Sequence, residues 1–446
     1  MTNYFLRLFF LLLPLPSVLW VFAYRNWLHG PICIQNILAY YFKSIPSLQS
    51  SQWAEPYTMC LDPYWVNQWL KNFGAGFAKR GLLGEVAAHM FAGRINLLFL
   101  NLISLFLLLL LAYGIVALLG RAGNPYSFPQ AALFTSLLWL TPFGKSLSET
   151  AGDPLQVVAV LLIVLVLLAD RWRLRGVSLD LGLSFAFCLS ILIHEGSFLL
   201  LMPAFLLMGR RSWVWWIGLS AALLMTWFFS AAEPLTSQDL IANRLIGFHP
   251  HTGLELSYRA GGGIASQVSF LSNLKMEFIK YIQNPSEVVG EVYRTLVVIL
   301  FLALCFCCWI QQYSTKVAAL FIKIWLFYLP ITLPFFLIAH DWVRFGVMNL
   351  VGCLCCTVAI ESRRGNLEHV ATARSMQKLA EFSRSWPWIL LLALAILIGP
   401  HLDDKDIRTQ PHPRLSKKYT LLCVVAIGTA VVQKRQLLVS PSSSSR

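Results

Sequence analysis

The sequence predicts an all-α, polytopic integral membrane protein with roughly 10–12 transmembrane helices and an interfacial helix in its first outer loop. Three observations carry that prediction. Of 446 residues, 57% are hydrophobic and only 13% charged, and the mean hydropathy is +0.64. Apolar runs long enough to cross a hydrocarbon core of about 30 Å recur along the chain, and no stretch between them could form a soluble core of its own. Lysine and arginine collect in alternate loops, as the positive-inside bias of spanning helices requires.

In chain order the apolar runs fall near Phe5–Ala23, Ile95–Leu119, Gln130–Phe143, Pro154–Ala169, Leu179–Ile193, Gly196–Met208, Trp213–Ser230, Val292–Ile310, Val317–Ala339, Phe345–Ile360, Trp386–Gly399 and Tyr419–Val432. The first lacks a small-x-small cleavage pattern at Val21-Phe22-Ala23 and is expected to stay as a span. Several runs are shorter than about 17 residues, so they read as tilted interior helices or half-membrane hairpins. No internal repeat is evident, and a single membrane domain over 1–439 with a low-complexity tail at 440–446 is expected.

The basic loops carry Arg121; Arg171, Arg173 and Arg175; Arg210 and Arg211; Lys316; the 361–385 loop; and Lys434 and Arg435. These are expected to be cytoplasmic, with both termini. The assignment requires 179–208 to be a hairpin whose turn, His194-Glu195-Gly196-Ser197, points outward. The net charge of +14 is then explained by topology and contact with anionic lipid, without nucleic acid.

The other conspicuous polar groups then fall almost entirely on the outer side. They lie in the first loop (24–94), at Lys145–Asp153, at His194-Glu195, in the long 231–291 loop, at His340-Asp341-Trp342-Val343-Arg344, and at Asp403, Asp404 and Asp406. A histidine and a glutamate inside an apolar stretch are costly, roughly 2.5–3.5 kcal/mol for an ionised group at mid-membrane, and so mark a candidate site. In the first loop Trp65, Trp69, Phe73 and Phe77 recur every four residues, the stripe of a helix lying in the interface. Lys79 and Arg80 follow on the side where basic residues are scarce, and so call for an anionic partner such as a lipid-linked phosphate.

Each motif has a plainer reading. Lys79 and Arg80 can snorkel to headgroups or pair with Glu85. His194 and Glu195 can bond to a neighbouring helix and to a turn amide. Asp153 can cap the helix that Pro154 opens, which leaves Glu149 unexplained. Asp341 and Arg344 can form an ion pair at a helix mouth or hold a ligand, with Arg344 gripping a phosphate that Asp341 orients. Gly261-Gly262-Gly263 lacks the lysine of a phosphate-binding loop, and His249-Pro250-His251 has no third metal ligand at a fixed spacing. No cofactor or metal is expected. Cys305, Cys307, Cys308, Cys353, Cys355 and Cys356 read as packing thiols; Cys33 and Cys60, both in the first outer loop, are expected to form a disulfide.

The strings Phe77-Ala78-Lys79-Arg80-Gly81-Leu82-Leu83-Gly84, His194-Glu195 and Asp341-Trp342-Val343-Arg344, within this arrangement of spans, resemble bacterial membrane glycosyltransferases that use polyprenyl-linked sugar donors, and surface-polysaccharide polymerases. The resemblance is architectural over most of the chain. It departs from that pattern in the first loop, where Asp62 has Glu55 seven residues before it instead of an adjacent acidic pair. It implies a protein of the bacterial inner membrane acting on a polyprenyl-linked glycan at the outer face. Asp62 would be the base, with Glu149 or Glu195 as substitutes and His194 as proton shuttle or phosphate donor contact. Lys79, Arg80, Asp341 and Arg344 would bind substrate. A transporter or flippase and a non-catalytic subunit of an envelope assembly remain open.

Overall fold

The computed structural model describes residues 12–28, 69, 81–90, 95–122, 128–194, 196–230, 245–246, 275, 278–279, 282–283, 285–338, 342–363, 388–396, 418, 420–428 and 431. Asp62, Lys79, Arg80, Glu195, Asp341, Cys33 and Cys60 lie outside them. Glu149 is helical, but only its backbone is described.

Among the described residues the protein is all-α apart from one two-residue parallel bridge. The helices are α1 (Pro14–Leu28), α2 (Gly81–Met90), α3 (Leu97–Ala122), α4 (Phe128–Trp139), α5 (Pro142–Glu149), α6 (Pro154–Arg171), α7 (Val177–Ile193), α8 (Ser197–Met208), α9 (Trp213–Ser230), α10 (Pro285–Gln311), α11 (Thr315–Ile338) and α12 (Trp342–Arg363). Helical residues continue at 388–396 and 420–428. The bridge pairs β1 (Ile95–Asn96) with β2 (Leu245–Ile246), joining the end of the first loop to the long loop.

Among the described residues, five helices are long and apolar enough to span a membrane: Phe99–Ala122, Pro154–Arg171, Val292–Gln311, Thr315–Thr332 and Val343–Arg363; Val177–Ile193 and Trp213–Trp227 are apolar but shorter. Side chains such as Phe106, Phe185, Leu224 and Trp227 remain exposed, an outward apolar face suited to lipid rather than water.

The expected span Gln130–Phe143 is divided in the structure. Pro142 cannot donate the backbone bond that would continue α4, and Thr141 caps a new helix, its Oγ1 accepting from Phe143 N at 3.3 Å. The short α5 folds back closely enough that a Cβ on Gly144 would lie 2.0 Å from the Trp139 carbonyl oxygen, so glycine is required there.

The centre of the bundle is α12, which packs on α3, α5, α6, α8, α10 and α11, and 94% of its spanning window is buried. Small residues permit this crowding: a Cβ on Gly346 would meet Ile299 at 2.1 Å, and one on Gly352 would meet the Tyr328 hydroxyl at 2.8 Å. Within the apolar interior, Asn349 donates to Thr332 Oγ1 at 2.8 Å, and Thr332 donates to the Tyr328 carbonyl at 2.8 Å.

Two polar clamps show that α6 and α12 run parallel. Arg344 meets Asp153 where both helices begin, and Ser362 bonds Asp170 where both end. Seventeen or eighteen residues of helix separate the clamps on either strand of the pair, about 26 Å of rise and close to the hydrocarbon thickness of a bilayer. At the Asp170 end Arg121 also pairs with Asp170, Asp180 accepts from the backbone of Arg210 at 2.8 Å and Ser212 at 3.0 Å, and Tyr313 bonds Gln130. The basic turns 121, 171–175, 210–211 and 363 therefore gather at one end of the bundle. The 179–208 hairpin forms as expected, α7 leaving that end and α8 returning to it, with His194 at the far turn.

Candidate functional site

The polar end of the bundle is built on residues 141–156. Thr141, Lys145, Ser146, Ser148, Thr150, Asp153 and Gln156 are all buried in this one stretch. Burying polar groups is costly unless they find hydrogen-bond partners, and here backbone carbonyls supply several of them. Thr141 Oγ1 donates to the Leu138 carbonyl at 2.6 Å, and Thr150 Oγ1 to the Ser146 carbonyl at 3.0 Å. Gln156 Nε2 donates to the carbonyls of Leu147 at 2.7 Å and Thr150 at 2.9 Å, tying α5 to the start of α6.

Asp153 caps α6 as the sequence suggests: its Oδ1 accepts from Leu155 N at 2.9 Å, with Pro154 in the first turn. Its other oxygen, Oδ2, accepts from Arg344 Nη1 at 2.9 Å, in a pair whose side chains are 0% and 6% exposed. Arg344 thus pairs with Asp153; the expected pairing with Asp341 lies outside the described residues. The guanidinium also lies 4.6 Å from the centroid of the Phe345 ring. A buried pair of this kind joins α6 to α12 and holds the arginine head in one place.

The residue before Asp153 is Gly152, whose φ of 88° suits glycine. Its carbonyl accepts from Trp69 Nε1 at 2.7 Å. Trp69 is only 7% exposed, so this ring of the first-loop stripe is packed into protein and does not lie open in the interface. The expected charge pattern gave no signal for that contact. The first loop is held at a second point, because α2 packs on α7. On α2, His89 Nδ1 lies 2.9 Å from the Glu85 carbonyl oxygen and 3.3 Å from Glu85 Oε1; the expected pairing of Glu85 with Lys79 or Arg80 lies outside the described residues.

His194 is buried, 6% exposed. Its backbone N–H donates to the Ser190 carbonyl at 2.8 Å, and its carbonyl accepts from Ser197 N at 2.9 Å. The ring Nδ1 accepts from Gly196 N at 2.9 Å. That bond places the proton of the neutral imidazole on Nε2, making His194 a hydrogen-bond donor at Nε2 and a turn organiser at Nδ1. Protonating Nδ1 would break the turn bond, which weighs against proton shuttling through that nitrogen.

His194 at the end of α7 and Arg344 at the start of α12 thus lie at the same end of the bundle, opposite the basic turns, and α8 packs on both helices. Lys145, buried on α5, is a further cation at this end, named among the outer polar groups but given no role; its signal was a lysine one turn into a Pro-started helix amid serines and threonines. Of the other expected site residues, the structure describes only the backbone of Glu149, in the last turn of α5. Among the described residues no group of three or more metal-ligating side chains converges. The eight described cysteines are free thiols, all buried but Cys188, which is half-buried.

Comparison with known protein families, curated proteins and solved structures finds no match. Fold and site define a multi-pass α-helical membrane protein with a buried polar cluster at the end of the bundle opposite its basic turns.

Proposed function

We propose that the protein transfers or polymerises lipid-linked sugars at the outer face of a bacterial cytoplasmic membrane. The observation that carries this reading is the anchoring of the first loop on both sides of Lys79 and Arg80. Before them, Trp69 bonds Gly152, next to Asp153; after them, α2 packs on α7, the helix that ends at His194. In this reading the loop so tied carries Lys79 and Arg80 toward the polar end, where an anionic headgroup would dock. The basic turns at the opposite end support a cytoplasmic assignment for that face and for both termini.

In this proposal Asp62 takes the proton from an acceptor hydroxyl, with Glu149 or Glu195 as substitutes. The acceptor oxygen bonds to the anomeric carbon, the bond from that carbon to the lipid phosphate oxygen breaks, and the departing phosphate takes the electron pair. Lys79 and Arg80 offset its charge, Nε2 of His194 donates a hydrogen bond to it, and Asp341 orients it. Arg344, paired with Asp153, braces α12 against α6 at that end of the bundle.

The test is purified protein in vesicles containing a polyprenyl-diphosphate glycan. New glycosidic linkage is expected, with Arg80→Ala weakening substrate binding and Asp62→Asn abolishing turnover while binding persists. Movement of the lipid across the bilayer without new linkage would favour a flippase. Binding with neither outcome would favour a non-catalytic subunit.

A further inference from the structure

The apolar span of α10 begins at Val292, and Arg294 stands two residues inside it. A cation at that depth is costly unless a counter-charge or a wet cleft receives it. The residue is half-buried and heads an interior stripe, because Val298, Phe301 and Cys305, at i+4, i+7 and i+11, are fully buried, whereas Tyr293 and Leu296 on the other face are exposed. Helical side chains lean toward the helix N-terminus, which here is the polar end of the bundle. Among the described residues the Arg294 guanidinium has no hydrogen-bond or ion-pair partner, and its Nε is buried without an acceptor. The next residue, Thr295, is 1% exposed and its Oγ1 also lacks a partner. Thr295 shares a face with Ile299 one turn on, which a Cβ on Gly346 would meet at 2.1 Å, so it faces α12. Joined as successive hairpins through α11, α10 and α12 run parallel. From the Ile299–Gly346 contact Arg294 lies five residues and Arg344 two residues toward the polar end, a difference of about 4.5 Å in depth. Arg344 is engaged by Asp153; Arg294 is not.

The geometry points to Arg294 as a binding residue for the phosphate group of a lipid at the polar end of the bundle, with the Thr295 hydroxyl beside it as a second donor. A planar guanidinium offers parallel N–H groups that fit two phosphate oxygens at once, and such charge-assisted bonds are the strong ones. A lipid phosphate is also the anion that membrane anchoring brings to this depth. The inference rests on the preceding reading only for the class of anion; the position of Arg294 stands without sugar transfer.

The full-length protein in phosphatidylcholine nanodiscs is titrated with polyprenyl phosphate and, separately, with phosphatidylglycerol, and bound lipid is counted by native mass spectrometry. Arg294→Gln should weaken binding about 10- to 100-fold, the loss expected for charge-assisted hydrogen bonds. Its melting temperature in lipid-free detergent should be unchanged, because the side chain gives up no partner. Should that variant not fold, Arg294→Lys keeps the charge without the planar fork and should show a smaller loss. Equal, Arg294-dependent binding of phosphatidylglycerol assigns the phosphate to bilayer lipid; preference for polyprenyl phosphate assigns it to a lipid-linked substrate. Unchanged affinity in a folded variant, a lowered melting temperature without lipid, or failure of the unaltered protein to bind either lipid would overturn the inference. Binding and not linkage formation is read, so absence of sugar transfer would leave the result standing.

Discussion

Arg344 and Asp153, separated by 191 positions in the chain, meet at 2.9 Å with almost no exposure to solvent. The carboxylate divides its two oxygens between the N-terminus of its own helix and a guanidinium on the central helix. Breaking such a pair from one side leaves a charge buried without its partner, whereas removing both charges does not. Arg344→Met should therefore lower stability by about 3–5 kcal/mol. Asp153→Asn keeps a capping oxygen, so Arg344→Met combined with Asp153→Asn should be more stable than either single change. Thermal unfolding of the four proteins in one detergent tests this double-mutant cycle; strictly additive losses would show that the pair is not coupled.

Trp69 and Gly152 attach the first loop to the bundle. Trp69→Phe keeps most of the buried ring but loses the indole donor, a net loss of about 1 kcal/mol. The effect should appear as faster proteolysis within 24–94, with little change in the global melting temperature. Gly152→Ala should cost about 1–2 kcal/mol, because a side chain is disfavoured at φ 88°. Equal loop protection in Trp69→Phe and the unaltered protein would show that the bond does not hold the loop.

Helices α7 and α9 touch through Ser184 and Gly218, where a Cβ on the glycine would lie 2.1 Å from Ser184 Oγ. Gly218→Ala should destabilise the protein by about 1–3 kcal/mol through overpacking. Adding Ser184→Gly should recover part of that loss. Failure of the second change to help would place the strain elsewhere.

Asp180 holds the turn between α8 and α9 by accepting from two backbone amides, those of Arg210 and Ser212. Asp180→Ala leaves both donors without their acceptor, a loss of about 2–4 kcal/mol. Asp180→Asn retains one carbonyl oxygen and should lose about half as much. Hydrogen exchange at Arg210 and Ser212 checks the assignment, and unchanged protection in the alanine variant would contradict it.

The sidedness proposed for the bundle predicts that an impermeant thiol reagent applied to intact cells reaches a cysteine placed at Ser266 and not one placed at Ser375. The buried native thiols should contribute little signal. Labelling of the second position alone would invert the topology.

The membrane class, the five long spans and the hairpin at His194 were legible because they rest on local rules: run length against bilayer thickness, basic residues at loop ends, and proline with a capping aspartate. Asp153 before Pro154 needed only its neighbours to be read as a helix start. What Trp69, Lys145 and Arg344 do was not legible. The aromatic stripe placed Trp69 on an exposed interface, yet its indole bonds a carbonyl 83 positions away. The break at Pro142 was hidden by the apolar residues around it. Arg344 stood beside Asp341 in the chain, and proximity in sequence suggested that partner. The sequence by itself determined which segments are apolar enough to leave water and where the basic residues collect. Only the tertiary structure decided which helices are neighbours. Parallel packing of α6 on α12 depends on a buried charge finding its counter-charge, and close approach of α12 to α10 and α11 on Gly346 and Gly352; both conditions are set by residues far apart in the chain.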